Sequence, residues 1–248
     1  MAVSCTASIN INIDGLPLFN NGTAQVWPIL FNIHEKPDLP PMIAGIFHGH
    51  SKPKKVEQFL DAFVEEILPI IKNGLVINNQ ILSVTIRAVI CDAPARAFVK
   101  GVVNFNSING CLKCHTVGEY SKELRTIIFP QTNAICRTDS DFRNTPNDKH
   151  RQYYKIQQGK EIVKVPIQTP FLKLPLDMIQ DFVVSDSLHL LHLGVTKKLL
   201  HFGTVTSNIH NLTHVVEDVE KKGSLPSIST YPFENHLYQI KNMVRSGR

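Results

Sequence analysis

Residues 8–14, Ser-Ile-Asn-Ile-Asn-Ile-Asp, alternate apolar and polar side chains with period two, which predicts a β-strand with one buried face and Asp14 at its C-terminal end. Gly15 and the Asn20-Asn21-Gly22 cluster supply turn chemistry, and apolar runs at 25–33 and 42–47 predict two more strands in an antiparallel meander. Pro28 falls inside the second run and places that strand at an edge or beside a bulge. From 54 to 72 the period changes: Val56, Phe59, Leu60, Phe63, Val64, Ile67, Leu68 and Ile71 recur at three- and four-residue steps, the stripe of an amphipathic helix. Ser51 is its expected cap, Pro69 is expected to kink or end it, and Gly74 is the stop signal. Residues 81–90 are almost wholly apolar and β-branched, which predicts a strand covered on both faces and ending at Cys91-Asp92-Ala93-Pro94. A short helix is expected over 95–102, and 105–170 reads as an irregular insertion rich in Asn, Thr and Lys. A later helix runs from Asp186 through Leu188, Leu191, Val195, Leu199 and Leu200 to a stop at Gly203. Beyond 204 the patterning is weak, and no internal repeat is present.

Composition narrows the setting. A chain of 248 residues that is 43% hydrophobic can bury a substantial core, which excludes disorder as the starting assumption. The net charge of +5 and sequence pI near 8.9 suit a polyanionic partner without amounting to a polybasic arm. The first residues have no basic segment followed by an apolar one, and no run of 18 apolar residues occurs, so no membrane partner and a reducing compartment are expected. Five cysteines, with Cys111 and Cys114 two residues apart, favour metal ligation or free thiols over a disulfide framework.

Asp14 and Asp92 end predicted strands, where carboxylates have no packing role, and Asp186 opens a helix. If the first and fourth strands are neighbours, their terminal carboxylates approach closely, and such like charges are stable together only with a cation between them. Oxygen donors of this kind suit Mg²⁺ or Mn²⁺ and two-metal phosphodiester chemistry. Each acid also has a plainer reading: Asp14-Gly15 as an ordinary turn, and Asp186 as a helix N-terminal acid favoured by the dipole.

Several strings occur here in a fixed order: Asn12-Ile-Asp-Gly-Leu-Pro-Leu-Phe19, Val26-Trp-Pro-Ile29, Ile90-Cys-Asp-Ala-Pro-Ala-Arg96, Cys111-Leu-Lys-Cys114, Gly118-Glu-Tyr120, Arg137-Thr-Asp-Ser-Asp-Phe-Arg-Asn144 and Asp186-Ser-Leu-His-Leu-Leu-His-Leu-Gly-Val195. Together they resemble the CACTA-like transposases of animal genomes over residues 9–203. The resemblance implies an α/β fold of the RNase H-like type, a mixed sheet with flanking helices and an irregular, zinc-braced insertion. The core would comprise 8–104 and 171–203, the insertion 105–170, and the tail 204–248. It also implies a DDE/D metal-binding set in which Asp14 matches the first acid, Asp92 the second and Asp186 the third. His189, a helical turn from Asp186, matches a family histidine that steadies a carboxylate, water or phosphate, or else forms only a local hydrogen bond. Plant relatives carry a glutamate where this chain has Leu191.

The Cys111–Cys114 spacing fits a zinc knuckle, whose completing pair within the insertion is expected to be Cys136 and His150, with His115 as a substitute. Lys52, Lys54, Lys55, Lys197 and Lys198 are the expected phosphate contacts. The implied activity is metal-dependent cleavage and transfer of DNA strands, acting on transposon ends and target DNA in the nucleus, as a homo-oligomer if active. No end-reading zinc finger or helix-turn-helix pattern precedes the first strand, so a fragment, a decayed copy or a host-retained remnant is expected. The alternatives are a non-catalytic nuclear binding protein and a nuclease of the same fold.

Overall fold

The computed structural model describes residues 5–19, 23–145, 148–158, 161–195 and 206–246. Asn20-Asn21-Gly22, Lys197, Lys198 and the expected helix end at Leu199, Leu200 and Gly203 lie outside these residues.

The architecture is mixed α/β, built on a six-stranded sheet. Strands β1 (Cys5–Ile13), β3 (Gln25–Ile33) and β4 (Met42–Gly49) form the expected meander, with the short β2 (Leu16–Pro17) continuing the edge of β3 beyond β1. Helix α1 (Val56–Asn73) leads to β5 (Leu75–Ile77) and β6 (Gln80–Val89), and β6 lies parallel to β1. Phe182 forms a further parallel bridge to Val89, so the chain returns to the far side of β6 before Asp186. Pro28 stands opposite Ile46, where β1 pairing has ended at Ile29 and a bulge separates Ile29 from Leu30. Its missing N–H therefore falls at a break in the ladder rather than in a continuous one.

The alternation in β1 sends Ile9, Ile11 and Ile13 into the main core under α1, with Leu60, Phe63, Val64 and Ile67 from the helix stripe. Each such side chain contributes about 1.5–3 kcal/mol on burial. The polar face of β1 is buried too, which the alternation did not predict: Asn10 and Asn12 are nearly inaccessible. That face is covered by the C-terminal segment, where Phe233, Leu237 and Ile240 pack on Leu30, the cross-strand partner of Asn12. The asparagines are accommodated by hydrogen bonds, Asn12 Nδ2 donating to the Ile90 carbonyl at 2.7 Å and Asn10 Nδ2 to Asn32 Oδ1 at 3.1 Å. Ser51 does not cap α1; Lys55 occupies the cap position and offers no side-chain bond, and Pro69 is accommodated within the helix.

Helix α2 (Ala93–Lys100) follows β6 directly. The insertion is more regular than its composition predicts: it carries two hairpins, β7–β8 (Glu119–Ser121, Thr126–Ile128) and β9–β10 (Tyr153–Gln158, Glu161–Pro166), and helix α3 (Asp139–Asn144). Ser187–Val195 is π-helical rather than α-helical. After residue 206 come α4 (Ser207–Asn211), α5 (Val215–Lys222) and α6 (Tyr231–Ser246). None of the described helices is long and apolar enough to cross a membrane.

Candidate functional site: an acid cluster and a Cys2His2 cluster

Asp14 follows the last residue of β1, and Asp92 follows β6 one residue after Cys91, so the parallel pairing of these strands delivers both carboxylates to one end of the sheet. Each is positioned by a local bond. Asp14 Oδ1 accepts from the Gly15 amide at 2.6 Å, and Asp92 Oδ1 accepts from Ala95 N at 2.7 Å as the N-cap of α2. Arg96 is fully enclosed beneath them and donates to the carbonyls of Cys91 and Val183, locking the end of β6 to the returning segment.

The third acid at this place is Glu234, on the first turn of α6. Its carboxyl interacts electrostatically with that of Asp14, and both groups feel the charge of Asp92, although the three do not bring their oxygens as close together as the Cys/His ligand atoms described below. Burial, then the Asp92 and Glu234 carboxylates, push Asp14 up to about 7, against smaller opposing effects of the Gly15 amide and His189. Glu234 is raised as well, first by burial.

Asp186 sits behind this cluster rather than in it. Fully inaccessible, it accepts from Thr230 N at 2.8 Å and Leu188 N at 3.3 Å on one oxygen, and from His189 N at 3.0 Å, His189 Nδ1 at 2.6 Å and Thr230 Oγ1 at 2.9 Å on the other. Although burial alone would raise its pKa, these donors, led by the His189 ring, bring it down to about 2. Asp186 therefore fixes the start of α6, since Thr230 immediately precedes that helix, and it orients His189. The other ring nitrogen of His189, Nε2, stands 3.5 Å from Glu234 Oε1. Burial disfavours the charged imidazole, but the Asp186 hydrogen bond and the charges of Asp186, Glu234 and Asp92 outweigh it and raise the His189 pKa. Sequence reasoning missed Glu234; the available signal was Thr230-Tyr-Pro232, a cap residue followed by an early proline, which opens a helix.

The cysteine pair forms a second cluster, and its partners correct the expected quartet. Cys111 and Cys114 face His210 and His214, all four buried and with ligand atoms within 4.8 Å of one another. Cys111 Sγ lies 3.5 Å from Cys114 Sγ and 3.5 Å from His214 Nε2, and Cys114 Sγ lies 3.3 Å from His210 Nε2. A tetrahedral zinc ion with bonds of about 2.0–2.3 Å needs ligand separations of roughly 3.4–3.8 Å, so the cluster can hold a metal ion such as zinc. The hydrogen bond from Cys114 and the nearby histidines hold Cys111 well below the usual thiol range. Cys136 is exposed and meets Cys114 only through a backbone bridge. His150 is turned away: Nδ1 lies 2.8 Å from the Asn109 carbonyl, and burial lowers its pKa to about 3. Nor does His115 join the cluster; its ring lies 3.5 Å from Arg137. His210 and His214 were missed because they lie 96 and 103 residues beyond their cysteine partners, although their four-residue spacing on a helical stretch was legible.

The two clusters are mechanically connected. Lys113, between the cysteines, makes a buried 2.6 Å ion pair with Asp218 of α5, whose other oxygen accepts from the amides of Val184 and Ser185 just before Asp186. Compared with known proteins, the chain matches no family model, no curated protein and no solved structure.

Proposed function

We propose that this chain is the catalytic part of a cut-and-paste DNA transposase, an RNase H-like core that cleaves and joins DNA strands in the nucleus with Mg²⁺ or Mn²⁺. The observation that carries this reading is the meeting of Asp14, Asp92 and Glu234, from elements far apart in the chain, at one end of a mixed sheet. A meander beside parallel strands, with acids at the ends of two parallel neighbours, supports the RNase H-like reading. Glu234 takes the third place expected of Asp186, because every Asp186 oxygen already has donors.

The donor set fits a hard divalent cation. Burial, and then the neighbouring Asp92 and Glu234 charges, lead Asp14 to keep a proton near neutrality, and a cation would displace that proton. When bound, Mg²⁺ or Mn²⁺ supplies Lewis-acid activation of an attacking water or 3′-hydroxyl and stabilises the leaving oxygen. Asp14, Asp92 and Glu234 would hold it. His189, whose pKa the Asp186 hydrogen bond raises and which is turned toward Glu234, can when protonated donate through Nε2 to a phosphate oxygen at the mouth of the cluster. Asp186 and Thr230 set that geometry without touching substrate.

Incubating the purified chain with Mg²⁺ and supercoiled DNA tests the reading. Nicking by the wild type that is abolished in Asp14→Asn, Asp92→Asn and Glu234→Gln is the expected result. Joined products from labelled DNA ends separate a transposase from a nuclease. DNA binding without any nicking would overturn the catalytic reading in favour of a binding protein.

A further inference from the structure

The lysines Lys52 and Lys54 border an open groove of about 390 Å³ between the loop after β4, the end of α2 and the start of β9. Its other walls include Phe98, Gln152, Tyr153 and Tyr154. The groove belongs to the acid-bearing end of the sheet. β4 and β1 both run antiparallel to β3, so the C-terminal end of β4, from which the lysine loop departs, points the same way as the end of β1 at Asp14. A short chain of contacts links the two places: a Cβ on Gly15 would stand 2.8 Å from the Trp27 ring, and Trp27 packs edge-on against Phe98 with ring centroids 5.5 Å apart.

The chemistry of the groove is that of a nucleotide subsite. Lys52 Nζ is held 5.6 Å above the centre of the Phe98 ring, while Lys52 and Lys54 are both exposed to solvent. At the same wall Glu57 accepts a 2.8 Å hydrogen bond from the Tyr154 hydroxyl, which itself accepts from Val56 N and so is held in place. Neither lysine is in an ion pair among the described residues, and the half-buried rings of Tyr153 and Phe98 offer stacking surface beside them. Aromatic faces interleaved with lysines are the combination by which proteins track a nucleic-acid strand. A groove of this size suits one small unit rather than a folded partner.

We propose that this groove binds one nucleotide of the DNA strand leading to the acid cluster, with Lys52 and Lys54 on its phosphates and its base against Tyr153 and Phe98. The choice of DNA as ligand rests on the transposase reading. The test is fluorescence anisotropy of a labelled single-stranded oligonucleotide with the full 248-residue chain, without divalent ions and across a salt series. Replacing both lysines (Lys52→Ala with Lys54→Ala) should weaken binding about tenfold and lower the salt-dependence slope by about 1.4, roughly 0.7 for each lysine on a single strand. Tyr153→Ala should also weaken it about tenfold, whereas Tyr153→Phe, which keeps the ring, should bind like wild type. Asp14→Asn with Asp92→Asn should bind at least as well as wild type. Wild-type affinity and salt slope in the double lysine variant, with an unchanged melting temperature, would overturn the proposal even if nicking is observed. Groove-dependent binding without nicking would leave the subsite standing and remove the catalytic reading.

Discussion

The acid cluster and the Cys2His2 cluster are built on opposite plans. In the first, Asp14, Asp92 and Glu234 have few donors, and burial, followed by the charges of Asp92 and Glu234, pushes Asp14 up to about 7. In the second, two sulfur and two nitrogen donors lie within 4.8 Å of one another, a set that would fill the four positions of a tetrahedral ion and leave none for a substrate. An open oxygen set suits chemistry, and a closed sulfur–nitrogen set suits cross-linking of distant segments. Asp186 sharpens the contrast: it is as acidic and as buried as any member of the first cluster, yet its donors make it a structural anchor. What distinguishes Asp14 and Asp92 from Asp186 is that each accepts one local backbone hydrogen bond, where Asp186 accepts five.

That contrast can be broken at several points. The largest expected effect is on catalysis: Asp14→Asn or Asp92→Asn should lower Mg²⁺-dependent nicking on the order of 10³-fold or more, since metal activation supplies several kcal/mol of transition-state stabilisation. Gel quantification of nicked plasmid checks this, and the folded state should not suffer, because each change removes a repelling charge. Next comes the sulfur–nitrogen cluster. Cys114→Ser should release a metal ion present at one per chain, measured by elemental analysis, and lower the melting temperature by roughly 10 °C, while Cys136→Ser should retain the ion. Loss of zinc in Cys136→Ser would restore the quartet within the insertion, and retention by Cys114→Ser would place the ion outside both sets.

Third, Glu234→Gln and Asp186→Asn should separate the acting acid from the anchoring one. The first should abolish nicking at unchanged melting temperature. The second should cost roughly 2–4 kcal/mol, a fall of roughly 5–15 °C, because a buried charged acceptor leaves its donors poorly satisfied. The smallest effect is on pH dependence. Because the folded-state pKa of Asp14 is raised to about 7 from 3.8, its contribution to stability in the metal-free protein is present below about pH 4 and is lost as pH rises to about 7. Mg²⁺ should therefore raise the melting temperature more at pH 8 than at pH 5, where it must displace a bound proton. An equal shift at both values would place the ion away from Asp14.

Much of this was legible in the chain. The alternation at 8–14, the helical stripe of α1 and the apolar run ending at Asp92 each predict an element close to its observed bounds, because local periodicity is set by which residues must be buried. The cysteine pair was visible from spacing. The partners that complete each cluster were not, because Glu234, His210 and His214 meet acids and thiols about a hundred or more residues away in the chain, a distance that local periodicity does not register. The stripe Phe233, Leu237 and Ile240 marks α6 as a helix, but not that it covers the asparagine face of β1, nor that His210 and His214 meet the CxxC pair.

The sequence by itself determined the elements and the kinds of donor available: carboxylates at strand ends, thiols two apart, histidines four apart and lysines before α1. Tertiary structure alone decided which donors share a site. Asp186 and Glu234 are chemically equivalent as ligands, and so are His150 and His210. Parallel pairing of β1 with β6 and docking of α6 bring Glu234 to the open end of the sheet, while Thr230 and His189 close over Asp186. Proximity and competing hydrogen bonds, neither of which is written in local sequence, make that choice.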